Sequence, residues 1–315
     1  MPDPLIECVP NFSEGRRAEV VEQIVASMAV EGVRLLDWSL DSDHNRSVVT
    51  IVGPPAAIVE AAIRAAGRAA QLIDLTSQEG VHPRIGSADV IPFVPVRDVS
   101  LEQCVILARQ AGNEIWKRHQ VPVYFYEAAA ARPDRALLEE VRRGQFEGLR
   151  DAVLREPARR PDVGGPSLHP TAGASAVGAR RFLIAFNLYL NTAEVSVARA
   201  IAKDIRQSGG GLAGVKAMGV SAHGQAQVSM NITDFTRTPV GQVFDAVKEK
   251  ARRHGAAPAR AELIGLIPEA ALERNSEWLR LLGDMGPDTG SAGFDLDQKV
   301  LERRLDRPLP WPQVR

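Results

Sequence analysis

The stretch Gly80-Val81-His82-Pro83-Arg84-Ile85-Gly86 sets one titratable imidazole two positions before a guanidinium, in a loop stiffened by proline and bounded by glycines. Pro83 fixes its own φ and restricts His82 before it, while Gly80 and Gly86 permit a ligand or a second backbone to come close. An imidazole with a reference pKa of about 6.5 can take and return a proton at neutral pH, and Arg84 stays charged and suits a carboxylate. The pattern fits acid/base chemistry on an anionic substrate. A loop histidine bonded only to backbone is the alternative, and the heptapeptide leaves both open.

A second group, Asp41, Asp43, His44, Asn45 and Arg46, occupies a turn between two expected strands. Three roles compete for it. An Asx-rich turn would be structural. Asp41, Asp43 and His44 could join His82 as metal ligands, although no HExxH or CxxC spacing supports this. Asn45 and Arg46 could instead grip a carboxylate while an aspartate stabilises a developing cation. The remaining candidates His119, His223 and His254 follow a helix, sit in a turn and end a helix, and read as surface features.

The elements that must position these residues follow from hydrophobic periodicity. Strands are expected at 5–9, 33–38, 47–52 and 90–94, with helices at 18–28 and 55–72, which gives the order βαββαβ. A helix at 101–118, a strand at 122–126 and a helical stretch near 135–143 extend this half. The order then repeats as strand 182–188, helix 193–207, strands 214–220 and 227–232, helix 239–253 and strand 261–266. The fold class expected is α/β (α+β), as two ferredoxin-like βαββαβ subdomains over 1–178 and 179–315 with a ligand cleft between them. Between the halves, 156–180 is rich in proline and glycine. It reads either as a solvated connector or as a lining of that cleft.

At 315 residues the chain is long enough for two packed halves. Hydrophobic residues at 45% and a net charge of −1 indicate a globular chain with no pull towards nucleic acid or an anionic membrane. No apolar run suits a bilayer span, and the N-terminus lacks the basic and apolar regions of a signal peptide, so a cytoplasmic location is expected. Cys8 and Cys104, in apolar contexts without CxxC spacing, are expected to be buried structural thiols.

Longer motifs make a resemblance specific. Glu7-Cys8-Val9-Pro10-Asn11-Phe12-Ser13-Glu14-Gly15, Asn45-Arg46-Ser47-Val48, the His82 heptapeptide with Asp89-Val90-Ile91-Pro92-Phe93, and Pro122-Val123-Tyr124-Phe125-Tyr126-Glu127 resemble the formiminotransferase domain. So do Arg143-Gly144-Gln145-Phe146-Glu147, Gly173-Ala174, Phe182-Leu183-Ile184-Ala185-Phe186-Asn187 and Glu262-Leu263-Ile264-Gly265-Leu266, so that the match spans nearly the whole chain. The resemblance implies transfer of a formimino group from N-formimino-L-glutamate to tetrahydrofolate, the co-substrate, with His82 catalytic and no metal required. It further implies a folate-binding stretch over Val163, Gly164, Gly165, Pro166, Ser167, Leu168, His169, Pro170, Thr171 and Ala172. Arg46 and Arg84 are the candidates for the glutamate carboxylates, with Asn45, Asp41 and Asp43 beside them. Ser39 stands where mammalian members carry an aspartate, which leaves Asp41 or Asp43 to stabilise charge. The expected partners are formiminoglutamate and folate. A homodimer is left open, and a separate cyclodeaminase would process the product, because the chain ends before one.

Two readings from other classes stand beside this one. A metal-dependent amidohydrolase would use Asp41, Asp43, His44 and His82. A non-catalytic folate-binding protein would bind without turnover.

Overall fold

The computed structural model of the protein describes residues 3–273, 277–282 and 295–313. It is a mixed α/β structure that divides into two compact units. One unit contains the chain through Arg181 together with the segment from Pro308, and the other runs from Phe182 to Arg307. The division thus falls a few residues beyond the expected boundary, and the last segment belongs to the first unit rather than the second. It is held there by Leu309 N–H donating to Leu35 O at 2.7 Å and by Leu309 and Trp311 packing on the first core.

The first unit begins with β1 (Leu5–Cys8), β2 (Asn11–Phe12) and α1 (Ala18–Ser27), followed by β3 (Arg34–Asp41) and β4 (Arg46–Gly53). Next come α2 (Pro55–Leu72), β5 (Ala88–Arg97), α3 (Leu101–His119) and β6 (Val123–Glu127). The unit then continues through α4 (Leu138–Val141), α5 (Gln145–Arg155) and β7 (Ser175–Ala179). Pro55 opens α2 at a position where its missing N–H costs nothing, and alanines on one face let the helix lie close to its neighbours. The clearest contact is at Gly67, where a Cβ would come within 2.2 Å of the His119 ring at the end of α3. His119 is therefore wedged against α2 and half-buried, a correction to its reading as a surface residue. A capping box between Ser100 and Gln103 starts α3.

The sheet of this unit runs β3, β4, then β1 and β2 together, β5, β7 and β6. β7 lies parallel to both β5 and β6, with Val90 opposite Ala176 and Val123 opposite Ser175. All five β7 residues are buried. The proline- and glycine-rich segment 156–180, read as connector or cleft lining, thus ends in an interior strand that the sequence reading does not give. Its Ser-Ala-Val-Gly-Ala composition lacks the bulky β-branched signal because its neighbours leave no room. At Gly178 a Cβ would lie 2.6 Å from Tyr126. The helical stretch near 135–143 is likewise a 3-10 turn, Pro133–Arg135, followed by the single turn of α4, and the longer helix is α5.

The second unit comprises β8 (Ile184–Leu190), α6 (Val195–Ile205), β9 (Val215–Ala222), β10 (Gln225–Ile232), α7 (Val240–Arg253) and β11 (Pro258–Ile264). Its sheet is antiparallel in the order β11, β8, β10, β9. Counting strands within each βαββαβ run, both units place the second beside the third, the third beside the first and the first beside the fourth. His223 and Gly224, both at positive φ, form the two-residue turn joining β9 to β10. Val243, Phe244 and Val247 of α7 meet Ile201 of α6 and Phe186 of β8 in a core separate from that of the first unit. Cys8 and Cys104 are free and buried. Among the described residues no helix is long and apolar enough to cross a membrane.

Candidate active site

Two loops of the first unit are stitched together around His82. Val81 N–H donates to Asp43 O at 3.2 Å, Asn45 Nδ2 to Glu79 O at 2.8 Å, and Gln78 Nε2 to Asn45 O at 3.0 Å. Gly80 is required at this junction, because a Cβ there would stand 2.5 Å from His44 O. On its far side the loop is tied to the strand-forming chain beyond it. Ala174 N–H donates to Ile85 O and Ser87 N–H to Ala172 O, each at 2.9 Å, while Ser13 Oγ donates to Gly86 O at 2.7 Å.

His82 is partly buried, with its Nδ1 2.8 Å from Pro83 O. A carbonyl can only accept, so this contact places the proton of the neutral ring on Nδ1 and leaves the Nε2 lone pair available. Burial, followed by the guanidinium charges of Arg46 and Arg142, holds the imidazole well below its ordinary pKa, and only the Pro83 carbonyl opposes them. The ring is consequently neutral at pH 7. His44 lies beside it, with ring centroids 5.9 Å apart.

Asp41 serves the turn in which it sits. One of its oxygens accepts from Asp43 N–H at 2.9 Å and His44 N–H at 2.7 Å, an Asx-turn geometry. Asn45, at φ 47°, accepts from Gly15 N–H at 3.0 Å while its amide nitrogen holds Glu79 O. Both ends of this side chain therefore bind backbone and fix the turn to the His82 loop. Asp43 contributes its carbonyl to the loop through Val81. Among the described residues no three His, Cys, Asp or Glu side chains are gathered as a metal-binding group, so Asp41, Asp43, His44 and His82 do not form one.

The two candidate arginines differ. Arg84 is buried and its fork is filled, with Nη1 and Nη2 on the two Glu147 oxygens at 3.0 and 2.8 Å, Nε on Gln78 Oε1 at 2.5 Å and Nη2 also on Gln78 O at 2.8 Å. Placed in this way, Arg84 clamps α5 to the loop and turns its paired nitrogens to Glu147 and Gln78. Arg46 is also buried, with Nε on Asn11 Oδ1 at 3.0 Å and Nη1 on Asp89 Oδ2 at 2.8 Å. Asp89 is fully buried and accepts in addition from Ile85 N–H at 2.8 Å and from Arg142 Nη2. Burial opposes the Asp89 charge, yet Arg142, Arg46 and the Ile85 amide hold its carboxyl below the ordinary range. Burial lowers Arg46 to about 10, so it remains a cation at pH 7.

Sequence alone gives Asp89, Arg142, Gln78 and Glu147 no site role. One signal was available for Asp89, an acid opening the apolar run Val90-Ile91-Pro92-Phe93-Val94, because a carboxylate on a buried strand needs a cationic partner.

The stretch expected to bind folate divides into two parts. Val163 exchanges backbone hydrogen bonds with Val123 at 3.0 and 3.1 Å, and Gly164, at φ 81°, packs on Trp116, where a Cβ would lie 2.6 Å from the indole. The Gly165-Pro166 peptide is cis, and Gly164, Pro166, Ser167 and Pro170 are exposed while Leu168 is buried. His169 Nδ1 accepts from Ala172 N–H at 3.0 Å and Thr171 N–H at 3.3 Å, closing a tight turn. Thr171 O receives Leu75 N–H at 2.8 Å, so the Thr171-Ala172 end lies against the His82 loop and the Val163-Gly164 end against α3 and β6.

Comparison with known proteins identifies the family. The family model described as the formiminotransferase domain, N-terminal subdomain, matches residues 5–180, and that described as the formiminotransferase domain matches residues 185–280. The chain is 42% identical to a glutamate formimidoyltransferase of Streptococcus pyogenes, covering 96% of this chain and 98% of that one. It is 41% identical to a glutamate formimidoyltransferase of Thermoplasma acidophilum over the same shares. Against the formimidoyltransferase-cyclodeaminase of Mus musculus it is 40% identical and spans 51% of that protein. With family models matched over both units and 41–42% identity over nearly the whole chain, the chain belongs to the formiminotransferase family of enzymes.

Proposed function

We propose that the protein is a glutamate formimidoyltransferase that moves the formimino group of N-formimino-L-glutamate to N5 of tetrahydrofolate, with His82 as the proton shuttle. The observation that carries this is the state of His82, whose Nδ1 is committed to Pro83 O and whose Nε2 lone pair is kept unprotonated by burial and two guanidiniums. The folate N5 amine, neutral at pH 7, attacks the formimino carbon. Nε2 takes the proton released as that C–N bond forms and returns it to the glutamate nitrogen as the original C–N bond breaks, so base and acid are one group. Such transfer contributes about 10²–10⁴ in rate.

Arg46 supplies charge for a donor carboxylate, while Asp41 and Asp43 shape the turn that carries it. Folate is assigned to 163–172, where Pro166, Ser167 and Pro170 are accessible and Thr171-Ala172 adjoins the His82 loop. The 5-formiminotetrahydrofolate formed would pass to a cyclodeaminase activity of the kind named in the mouse relative. Purified protein mixed with formiminoglutamate and tetrahydrofolate tests the reading through release of glutamate that requires both substrates. Release without folate would favour hydrolysis, and folate binding without release would favour a binding protein.

A further inference from the structure

The carboxylate of Asp89 is shared by two guanidiniums, Arg46 and Arg142, so that among the described residues two buried cations are paired with one carboxylate. Arg142 has only 12% of its side chain exposed, and its Nε is a buried donor without an acceptor among the described residues. A buried guanidinium with an unfilled donor is expensive to maintain unless something else completes it. The Arg84 pair across the same loop has no such surplus, since Glu147 matches it one to one. Asp89 fixes this cluster to the His82 loop through Ile85 N–H, three residues beyond the imidazole.

We propose that Arg142 is a further substrate-binding residue, which together with Arg46 receives a carboxylate of the anionic donor beside His82. This rests on the formimino-transfer reading for the identity of the donor, but the carboxylate site itself does not. A planar guanidinium already anchored on Asp89 is held in place for a second carboxylate, and Arg46 is anchored on Asn11 and Asp89 in the same way. The charged and titratable groups whose fields reach His82 are Arg46 from β4, Arg142 from the segment after α4 and His44 from the β3–β4 turn, the last with its ring 5.9 Å away. Arg142 thus also discourages a second proton on the imidazole until the donor's negative charge arrives.

Steady-state kinetics on the full chain test this with Arg142→Met and Arg142→Lys. Arg142→Met is expected to raise the KM for formiminoglutamate about tenfold or more and leave that for tetrahydrofolate within about twofold, with Arg142→Lys intermediate. Removing the charge should also move the acid limb of kcat/KM to higher pH, a shift that loosened packing would not produce in one direction. An unchanged donor KM in a folded Arg142→Met protein, or equal loss for both substrates with the limb fixed, overturns the proposal. Glutarate serves as an independent probe: it should raise the Tm of the wild type and do so less in Arg142→Lys. If the wild type transfers no formimino group yet glutarate stabilises it through Arg142, the carboxylate site stands and the transferase reading falls. If glutarate stabilises both proteins equally, the site falls whatever the activity.

Discussion

Two arginine–carboxylate arrangements flank the same histidine loop, and they differ in balance. Arg84 meets Glu147 one to one, and Glu147 leaves 57% of its side chain in solvent. Arg46 and Arg142 instead share Asp89, which is wholly buried. The first arrangement clamps α5 to the loop and closes its own fork. The second sets two cations on one carboxylate where the imidazole senses them. Arginines of equal burial and only 38 positions apart can thus differ in what they are available to do, and the count of carboxylates around each tells them apart.

The sharpest way to break this comparison is to remove the group that both arrangements surround. His82→Ala should fold normally and lose about 10²–10⁴ of turnover, because the proton route is gone while the loop's backbone bonds remain. Single-turnover assays beside an unchanged circular dichroism spectrum would check it, and near-wild-type turnover would remove His82 from the mechanism.

Stability should next separate the two carboxylates. Asp89→Ala strands two buried guanidiniums and an amide and is expected to cost about 3–5 kcal/mol by urea unfolding. Glu147→Ala, from a partly exposed pair, should cost far less. Similar losses would mean that burial does not distinguish the pairs.

Arg84→Lys should cost about 1–3 kcal/mol, since the buried Gln78 oxygens lose their donors. Its KM for formiminoglutamate should stay at the wild-type value in the protein that remains folded. A raised donor KM would return Arg84 to the substrate.

The smallest effect is in pH. Because the folded pKa of His82 is depressed, the unfolded chain binds the extra proton first, so its contribution to stability is complete above about 6.5 and is lost as pH falls towards the folded value. His119 and His169 are lowered too, both by burial, and act with the same sign. Unfolding free energies at successive pH values should therefore decline on the acid side, and less steeply in His82→Ala. An equal decline in that variant would place the whole linkage elsewhere.

Much of the fold is legible where the side chains are large. The apolar face of α1 and the Pro55 start of α2 reveal themselves, and the predicted 55–72 helix coincides with α2. β7 is not legible in the sequence because its residues are small, and they are small because β5 and β6 enclose it. In the candidate site, His82 and Arg46 stand out from type and loop context as proposed participants. The fate of Arg84 is not legible there, since its partner Glu147 lies 63 residues away.

The sequence by itself determines the family, the βαββαβ succession within each half, and the histidine placed in a proline-stiffened loop, because periodicity and motif order are local properties of the chain. Only the tertiary structure decides which charges meet. Arg46, Asp89 and Arg142 come from three separate segments, and Asn45 turns out to bind backbone rather than stand open. A guanidinium's role depends on the acceptors within about 3 Å of it, and those acceptors are chosen by packing rather than by neighbours in the chain.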